Sequence, residues 1–279
     1  MSVNSIYVLM DDVFIPTKWA GGPWTKGLHH GGPINALFAR AAELAADESG
    51  LQVVRLTVDL FKPIPTVPLT CQYRFVRRGR RIANVEMEIA LPGENTPLSK
   101  ATAVLLERRD DLGRTWQPEA PSPPDIEKIS MSKMIPQNIV KHLPEGFHRS
   151  LEAGFGEDAE GLFAVIDTPL DLIEDEKISP LQRSAALADL TFGLSIRLQS
   201  SDMSFGMDNS KVSLINADTT LQWERPPEKG PICFRDILIS DEAGIGVASV
   251  SLFDAKGRMG KSTQVLIAQK AFNSQGPKP

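Results

Sequence analysis

Cysteine is nearly absent: Cys71 and Cys233 are the only two in 279 residues. Two thiols in a chain of this size give no disulfide framework, which points away from a secreted scaffold and toward the reduced cytoplasm. Positive charge is also short. The 30 Lys and Arg stand against 35 Asp and Glu, a formal net charge of −5. That excludes a general nucleic-acid binder, because neutralising a phosphate backbone takes a broad basic surface. Long apolar runs are missing as well. Nothing approaches the roughly 18 residues of a membrane helix, and residues 1–20 lack the basic-then-apolar order of a leader. The expectation is a soluble cytoplasmic protein with no membrane partner. Only four histidines occur, and no Gly-x-Ser-x-Gly, His-Glu-x-x-His or Cys-x-x-Cys motif supplies a nucleophile elbow or a zinc site. No metal or cofactor is expected.

What the chain does contain is itself, twice. Lys62-Pro63 closes a strand-like run over residues 53–61, and Arg225-Pro226 closes one over 216–224. Pro68-Leu69-Thr70-Cys71 then faces Pro231-Ile232-Cys233, and Lys100-Ala101-Thr102-Ala103-Val104-Leu105 faces Lys261-Ser262-Thr263-Gln264-Val265-Leu266. The order and the nearly constant offset persist over about 50 residues, which indicates duplication. The two cysteines fall on equivalent places, so they read as strand packing and not as a pair.

Each copy has one order of elements. In the first, a strand at residues 5–10 and a Gly-, Pro- and Trp-rich loop lead to His29-His30-Gly31-Gly32-Pro33. A helix of about 14 residues follows, with Ile34, Leu37, Phe38, Ala41, Leu44 and Ala45 at helical spacing and Pro33 in its first turn. Strands are predicted at 53–61, 69–77, 82–91 and 98–108, separated by proline and glycine turns. The second copy has a strand near 161–168 and a helix from Leu181 to about Phe192 opened by Ser179-Pro180. Strands then follow at 212–224, 233–239, 246–254 and 261–269. The Pro-rich stretch 116–124 reads as part of a linker, and residues 276–279 as a frayed end. The organisation expected is therefore 1–110, a linker at 111–145, and 146–279. A helix apolar over much of its circumference needs cover, and one curved antiparallel sheet wrapped around it supplies that. The fold class is α+β, a tandem (double) hot-dog in which each half is a long helix wrapped by a curved antiparallel sheet.

The chain resembles the double hot-dog acyl-CoA thioesterases of the thioesterase II type. The local matches run in order along nearly all of it: Pro23-Trp24, His30-Gly31-Gly32, Arg77-Arg78-Gly79-Arg80, Ala188-Asp189, Trp223-Glu224-Arg225-Pro226 and Thr263-Gln264. The resemblance implies hydrolysis of acyl-CoA to free acid and CoA, a role in fatty acid metabolism. In that family an Asp, a hydroxyl residue and a Gln jointly hold the hydrolytic water. Asp189 and Gln264 match, while Asn216 stands where the hydroxyl belongs. Asn keeps hydrogen-bonding capacity but presents an amide in place of a hydroxyl rotor.

The repeat offers a separate observation on the same residues. Asp189, Asn216 and Gln264 face Ala42, Val53 and Ala103 in the first copy, so the polar set occurs once. Buried polar groups are costly unless bonded to each other or to water, which suggests one working site and one filled-in copy. Bland readings stand beside this one: Asp189 on a wet helix face, Gln264 pointing outward, and Asn216 satisfying local backbone. On the substrate side, His30, Gly31 and Gly32 are expected near the thioester, the glycines permitting close backbone approach. Arg78 and Arg80 are expected to meet the CoA phosphates, or else to form a solvated hairpin turn. Two alternatives to hydrolysis stay open. One is a noncatalytic acyl-CoA-binding protein. The other is a hydratase, whose resemblance calls for a His five positions after the Asp; Leu194 stands there. Homodimerisation would fit the fold.

Overall fold

The computed structural model describes residues 4–113, 116, 122, 124–199 and 212–270. Most of the Pro-rich stretch and residues 276–279 lie outside them. The chain begins with β1 (Ser5–Met10) and β2 (Val13–Pro16), then α1 (Gly31–Ser49), β3 (Gln52–Asp59), β4 (Leu69–Arg78), β5 (Ile82–Ala90) and β6 (Ser99–Leu106). Within residues 111–145 lie β7 (Ser132–Lys133) and the short α2 (Gln137–Val140), and after them come β8 (Glu152–Asp158), β9 (Gly161–Asp167) and β10 (Asp171–Ile173). Last are α3 (Pro180–Ala188), α4 (Thr191–Gln199), β11 (Val212–Asn216), β12 (Asp218–Trp223), β13 (Ile232–Glu242), β14 (Ile245–Asp254) and β15 (Gly257–Lys270).

The strands form one sheet in the order β10-β1-β2-β4-β5-β6-β3-β12-β15-β14-β13-β9-β8-β7, with β11 also on β15. Apart from the parallel β1–β10 pair, its ladders are antiparallel. The first-copy strands lie together on one side of the β3–β12 seam, and most second-copy strands on the other. At that seam Thr57 pairs with Thr220, their hydroxyl oxygens 3.2 Å apart. These residues are 163 positions apart, the same offset that separates Pro63 from Pro226. Cys71 lies in β4 and Cys233 in β13, both as free thiols. Burial pushes each up to about 12.

The helix α1 runs for 19 residues, longer than the periodicity suggests. Ile34, Leu37, Phe38, Ala41 and Ala45 are buried as that spacing requires, whereas Leu44 is 43% exposed. His30 is its N-cap, and Gly50 ends it at φ 68°, a left-handed value that suits glycine. The helix packs on α3 along one side and on β3–β6 along the other.

Three sequence expectations are corrected. A strand, β2, occupies part of the Gly- and Pro-rich loop, pairing Tyr7–Met10 with Val13–Pro16. The second helix does not end near Gly193: it breaks at Asp189–Leu190 and continues as α4 to Gln199. The strand expected over 212–224 is split at Ala217. Both breaks have side-chain causes, and both build the site.

Candidate active site

The break between α3 and α4 comes from a side chain inserted into the helical ladder. Phe192 N–H donates to Gln264 Oε1 at 2.8 Å instead of to the preceding turn, and Gln264 Nε2 donates to the Asp189 carbonyl oxygen at 3.2 Å. Thr191 Oγ1 takes over the Ala188 carbonyl at 2.8 Å and also meets Ser262 Oγ at 2.8 Å. Asp189 therefore sits on a corner, its backbone held by β15, with its side chain free to project.

The break in the other strand is a one-residue bulge. Asn216 pairs with Leu266 while Thr220 pairs with Thr263, so β11–β12 carries one residue more than β15 over this stretch. Asp218 Oδ1 accepts the displaced Val265 N–H at 2.6 Å. Strand side chains alternate, so residues three apart ordinarily face opposite ways. The extra residue turns both Asn216 and Thr219 inward. Asn216 Nδ2 donates to Asp189 Oδ1 at 3.2 Å, and buried Thr219 Oγ1 accepts from Gln264 Nε2 at 3.0 Å.

The opposite wall is the start of α1. His30 Nδ1 lies 3.0 Å from Asp189 Oδ2, both side chains 9% exposed. The same nitrogen accepts from Gly32 N–H at 3.1 Å. One ring nitrogen cannot accept and donate at once. Unprotonated, it caps the helix; protonated, it pairs with the carboxylate. The N-terminal end of α1 also carries positive dipole charge, which favours an anion beside it. Gly31 makes this approach feasible: a Cβ there would stand 2.8 Å from Asp189 Cγ and Oδ2, and closer still to Oδ1. A Cβ on Gly32 would instead meet the Ala186 carbonyl oxygen at 2.5 Å and Phe147 Cε1 at 3.0 Å. The glycines therefore serve different ends. Gly31→Ala is expected to fold and to displace the Asp189 carboxylate, a mobile side chain. Gly32→Ala presses on backbone and is expected to lose roughly 1–3 kcal/mol of stability. Urea melts of the two variants check this, and equal losses would refute the distinction.

Asp189, Asn216, Gln264, His30, Gly31 and Gly32 are thus brought together. Gln264, however, does not touch the carboxylate. Both its N–H donors and one Oε1 position are taken by protein atoms, so it fixes where Asp189 stands. Arg78 and Arg80 lie elsewhere. Arg78 binds the Glu48 carboxylate, and its Nη2 donates to the Glu48 carbonyl at 2.7 Å. That is the far end of α1, about 27 Å from His30 at helical rise. Arg80 lines a surface groove with Arg77, Arg81 and Glu107. His29 also parts from its neighbour: its Nδ1–H donates to the Pro65 carbonyl at 2.9 Å, and its ring stacks on Tyr7.

Sequence reasoning missed Thr219, hidden by the bulge, and His148. The latter is 3% exposed; its ring nitrogens find no hydrogen-bond partner, the Pro144 carbonyl facing the ring without reaching bonding geometry. Burial lowers His148 to about 4, helped by charge on His30 and Arg149. It also missed Glu43. Ala42, Val53 and Ala103 are buried and apolar as expected, but the first copy is not simply filled in. Glu43, beside Ala42, accepts from Ser179 Oγ at 2.6 Å and Gln182 Nε2 at 2.7 Å at the start of α3. Burial raises its carboxyl above the ordinary value. The N-cap residue of each long helix therefore meets a carboxylate from the other. Among the described residues, no cluster of three or more His, Cys, Asp or Glu is placed to hold a metal ion.

Residues 20–106, which include His30 and all of α1, match the acyl-CoA thioesterase N-terminal domain family. The chain resembles the acyl-CoA thioesterase II proteins. One solved relative, assigned as a thioesterase II from Thermobifida fusca, is 18% identical with a TM-score of 0.62, covering 96% of this chain and 97% of its own. An acyl-CoA thioesterase II from Mycobacterium marinum is 13% identical at TM-score 0.61, covering 99% and 98%. A protein of unknown function with a hot-dog fold from Alicyclobacillus acidocaldarius is 14% identical at 0.64, covering 96% and 98%. The thioesterase II resemblance thus extends to a shared hot-dog fold over the length of the chain. No curated protein matches the sequence.

Proposed function

We propose that the protein hydrolyses acyl-CoA thioesters to free acid and CoA, as a tandem hot-dog with halves 1–110 and 146–279 joined by 111–145. The observation that carries the activity is one nearly buried carboxylate, Asp189, held by Asn216 and His30 against the N-terminus of α1. The seam pairing of Thr57 with Thr220 supports the tandem reading.

In this scheme Asp189 takes a proton from a water while the water oxygen bonds to the thioester carbonyl carbon, and the carbonyl π pair moves onto its oxygen. When that pair returns, the C–S bond breaks and the proton passes from Asp189 to the departing sulfur. Free acid and thiol result. Asn216 orients the carboxylate, its Nδ2 donating to Asp189 Oδ1 in the place where the thioesterase II resemblance calls for a hydroxyl. Gln264 acts as a positioning residue through the Asp189 backbone, and Thr219 fixes Gln264. No helix among the described residues is long and apolar enough to cross a membrane. A cytoplasmic location and a homodimer belong to the same reading.

Thiol release from acyl-CoAs of graded chain length is the test. Turnover on at least one length is expected. Tight binding without thiol release would assign the noncatalytic reading instead. Arg78 and Arg80 have no part in this site, so Arg78→Glu with Arg80→Glu is expected to leave KM unchanged. A raised KM would return them to phosphate binding.

A further inference from the structure

Two surface features near the C-terminal end of α1 take no part in the hydrolytic site, and their charges are opposite. One is the groove of about 550 Å³ at the β4–β5 hairpin, lined by Arg77, Arg80, Arg81 and a single carboxylate, Glu107. Glu107 pairs with Arg81 at 3.1 Å, and among the described residues neither Arg77 nor Arg80 has a carboxylate partner. The other is a cleft of about 480 Å³ between α1 and the start of α3, lined by Glu43, Asp47, Glu176 and a single arginine, Arg40. Arg40 is taken by Glu176 at 3.0 and 3.1 Å. Glu43 is bonded only by the neutral Ser179 and Gln182, and Asp47 has no cationic partner among the described residues. The groove therefore holds two uncompensated cations and the cleft two uncompensated anions.

Both also expose apolar side chains. Ile82 and Leu106 in the groove are 40% and 36% exposed, and Leu44 in the cleft, which helical spacing would bury, is 43% exposed. An apolar floor within a charged rim is how protein interfaces are built. The two features are neighbours. Gln52 of the cleft pairs with Leu106 of the groove, and Leu106 with Ile82, on strands about 4.8 Å apart. Arg78 Nη2 donates to the Glu48 carbonyl at 2.7 Å, which ties the residue after Arg77 to the residue after Asp47. Unlike patches side by side are self-complementary, because a two-fold axis between copies sets each patch against the other one of the second copy. A polyanion would satisfy only the groove and a polycation only the cleft. A second copy of this chain satisfies both.

We propose that this end of the molecule is a homodimer interface, in which the arginine groove of each chain seats against the Glu43 and Asp47 cleft of a second copy. This rests on the homodimer of the reading above and gives it a face. Sedimentation of the full chain tests it, in about 0.01 M and about 1 M salt, where charges are screened over about 30 Å and about 3 Å. A dimer is expected at low salt and dissociation toward monomer at high salt. Arg77→Glu with Arg80→Glu reverses the groove, and Asp47→Lys with Glu43→Gln reverses the cleft. Each pair is expected to weaken self-association at least about a hundredfold, since like charges then face each other. Mixed, the two variants are expected to form a heterodimer, because each reversed patch meets its opposite. Should Glu43→Gln fail to fold, Asp47→Lys alone serves as the cleft variant. Thiol release per chain is expected to be unchanged in the arginine variant, so the interface and the hydrolysis are read separately. A wild type that stays monomeric at low salt, a dimer that both variants keep, or monomeric variants that do not pair on mixing overturns the proposal. A wild type that dimerises as expected yet releases no thiol from any thioester sinks the hydrolase reading and leaves the interface standing.

Discussion

Asp189→Ala is expected to lower kcat for acyl-CoA hydrolysis by roughly 10²–10⁴-fold, the usual range for loss of a general base. The corner that carries Asp189 does not depend on its carboxylate. Gln264 holds the Asp189 carbonyl and Phe192 N–H, and Thr191 holds the Ala188 carbonyl. The fold should survive, with circular dichroism unchanged and His30 still capping α1 through Gly32. Gln264→Ala should differ in kind. It frees the Asp189 carbonyl, Phe192 N–H and Thr219 hydroxyl together, so both stability and rate should fall. Thiol release by Asp189→Ala at the wild-type rate would remove the carboxylate from the mechanism, whatever the fold similarity suggests.

Acidification from pH 6.5 to 4 is expected to cost the fold up to about 3 kcal/mol for each of His29 and His148. Burial lowers both to about 4 from an ordinary 6.5, against carbonyl contacts from Pro65 and Ile64 that pull His29 back up. Above pH 6.5 both rings are neutral folded and unfolded, and neither contributes. Below it the unfolded chain takes up protons that the fold refuses, so stability falls until about pH 4, where the folded rings also titrate. Glu43 works in the opposite sense: its raised value means the fold holds its proton more tightly, so its stabilisation is lost as pH rises. Comparing urea midpoints across this range for wild type, His29→Gln and His148→Gln isolates the histidines. The same pH slope in all three proteins would refute the assignment.

Much of the site was legible before the structure because it was asymmetric. Asp189, Asn216 and Gln264 interrupt a repeat whose other copy is apolar, and they do converge. The same repeat gave no warning of Glu43, since it falls one position past the aligned Ala42. The period of two concealed Thr219: counted from Asn216 it belongs on the far face, and only the bulge at Ala217 and Asp218 turns it inward. The arginine hairpin misled for a different reason. Its charge is plain in the sequence, but Glu48, which neutralises Arg78, comes from a distant helix end.

Sequence alone located α1 and most of the strands, because helical spacing, proline and glycine turns and apolar alternation are local properties of the chain. It also marked the carboxylate worth testing. Only tertiary structure decided what that carboxylate meets. The two long helices pack side by side with the start of α1 against the end of α3, which brings His30 and Gly31 against Asp189. The division has a physical origin. Local order follows from neighbouring residues, whereas a buried charge is fixed by what long-range packing brings within hydrogen-bond distance, here across about 160 residues of chain.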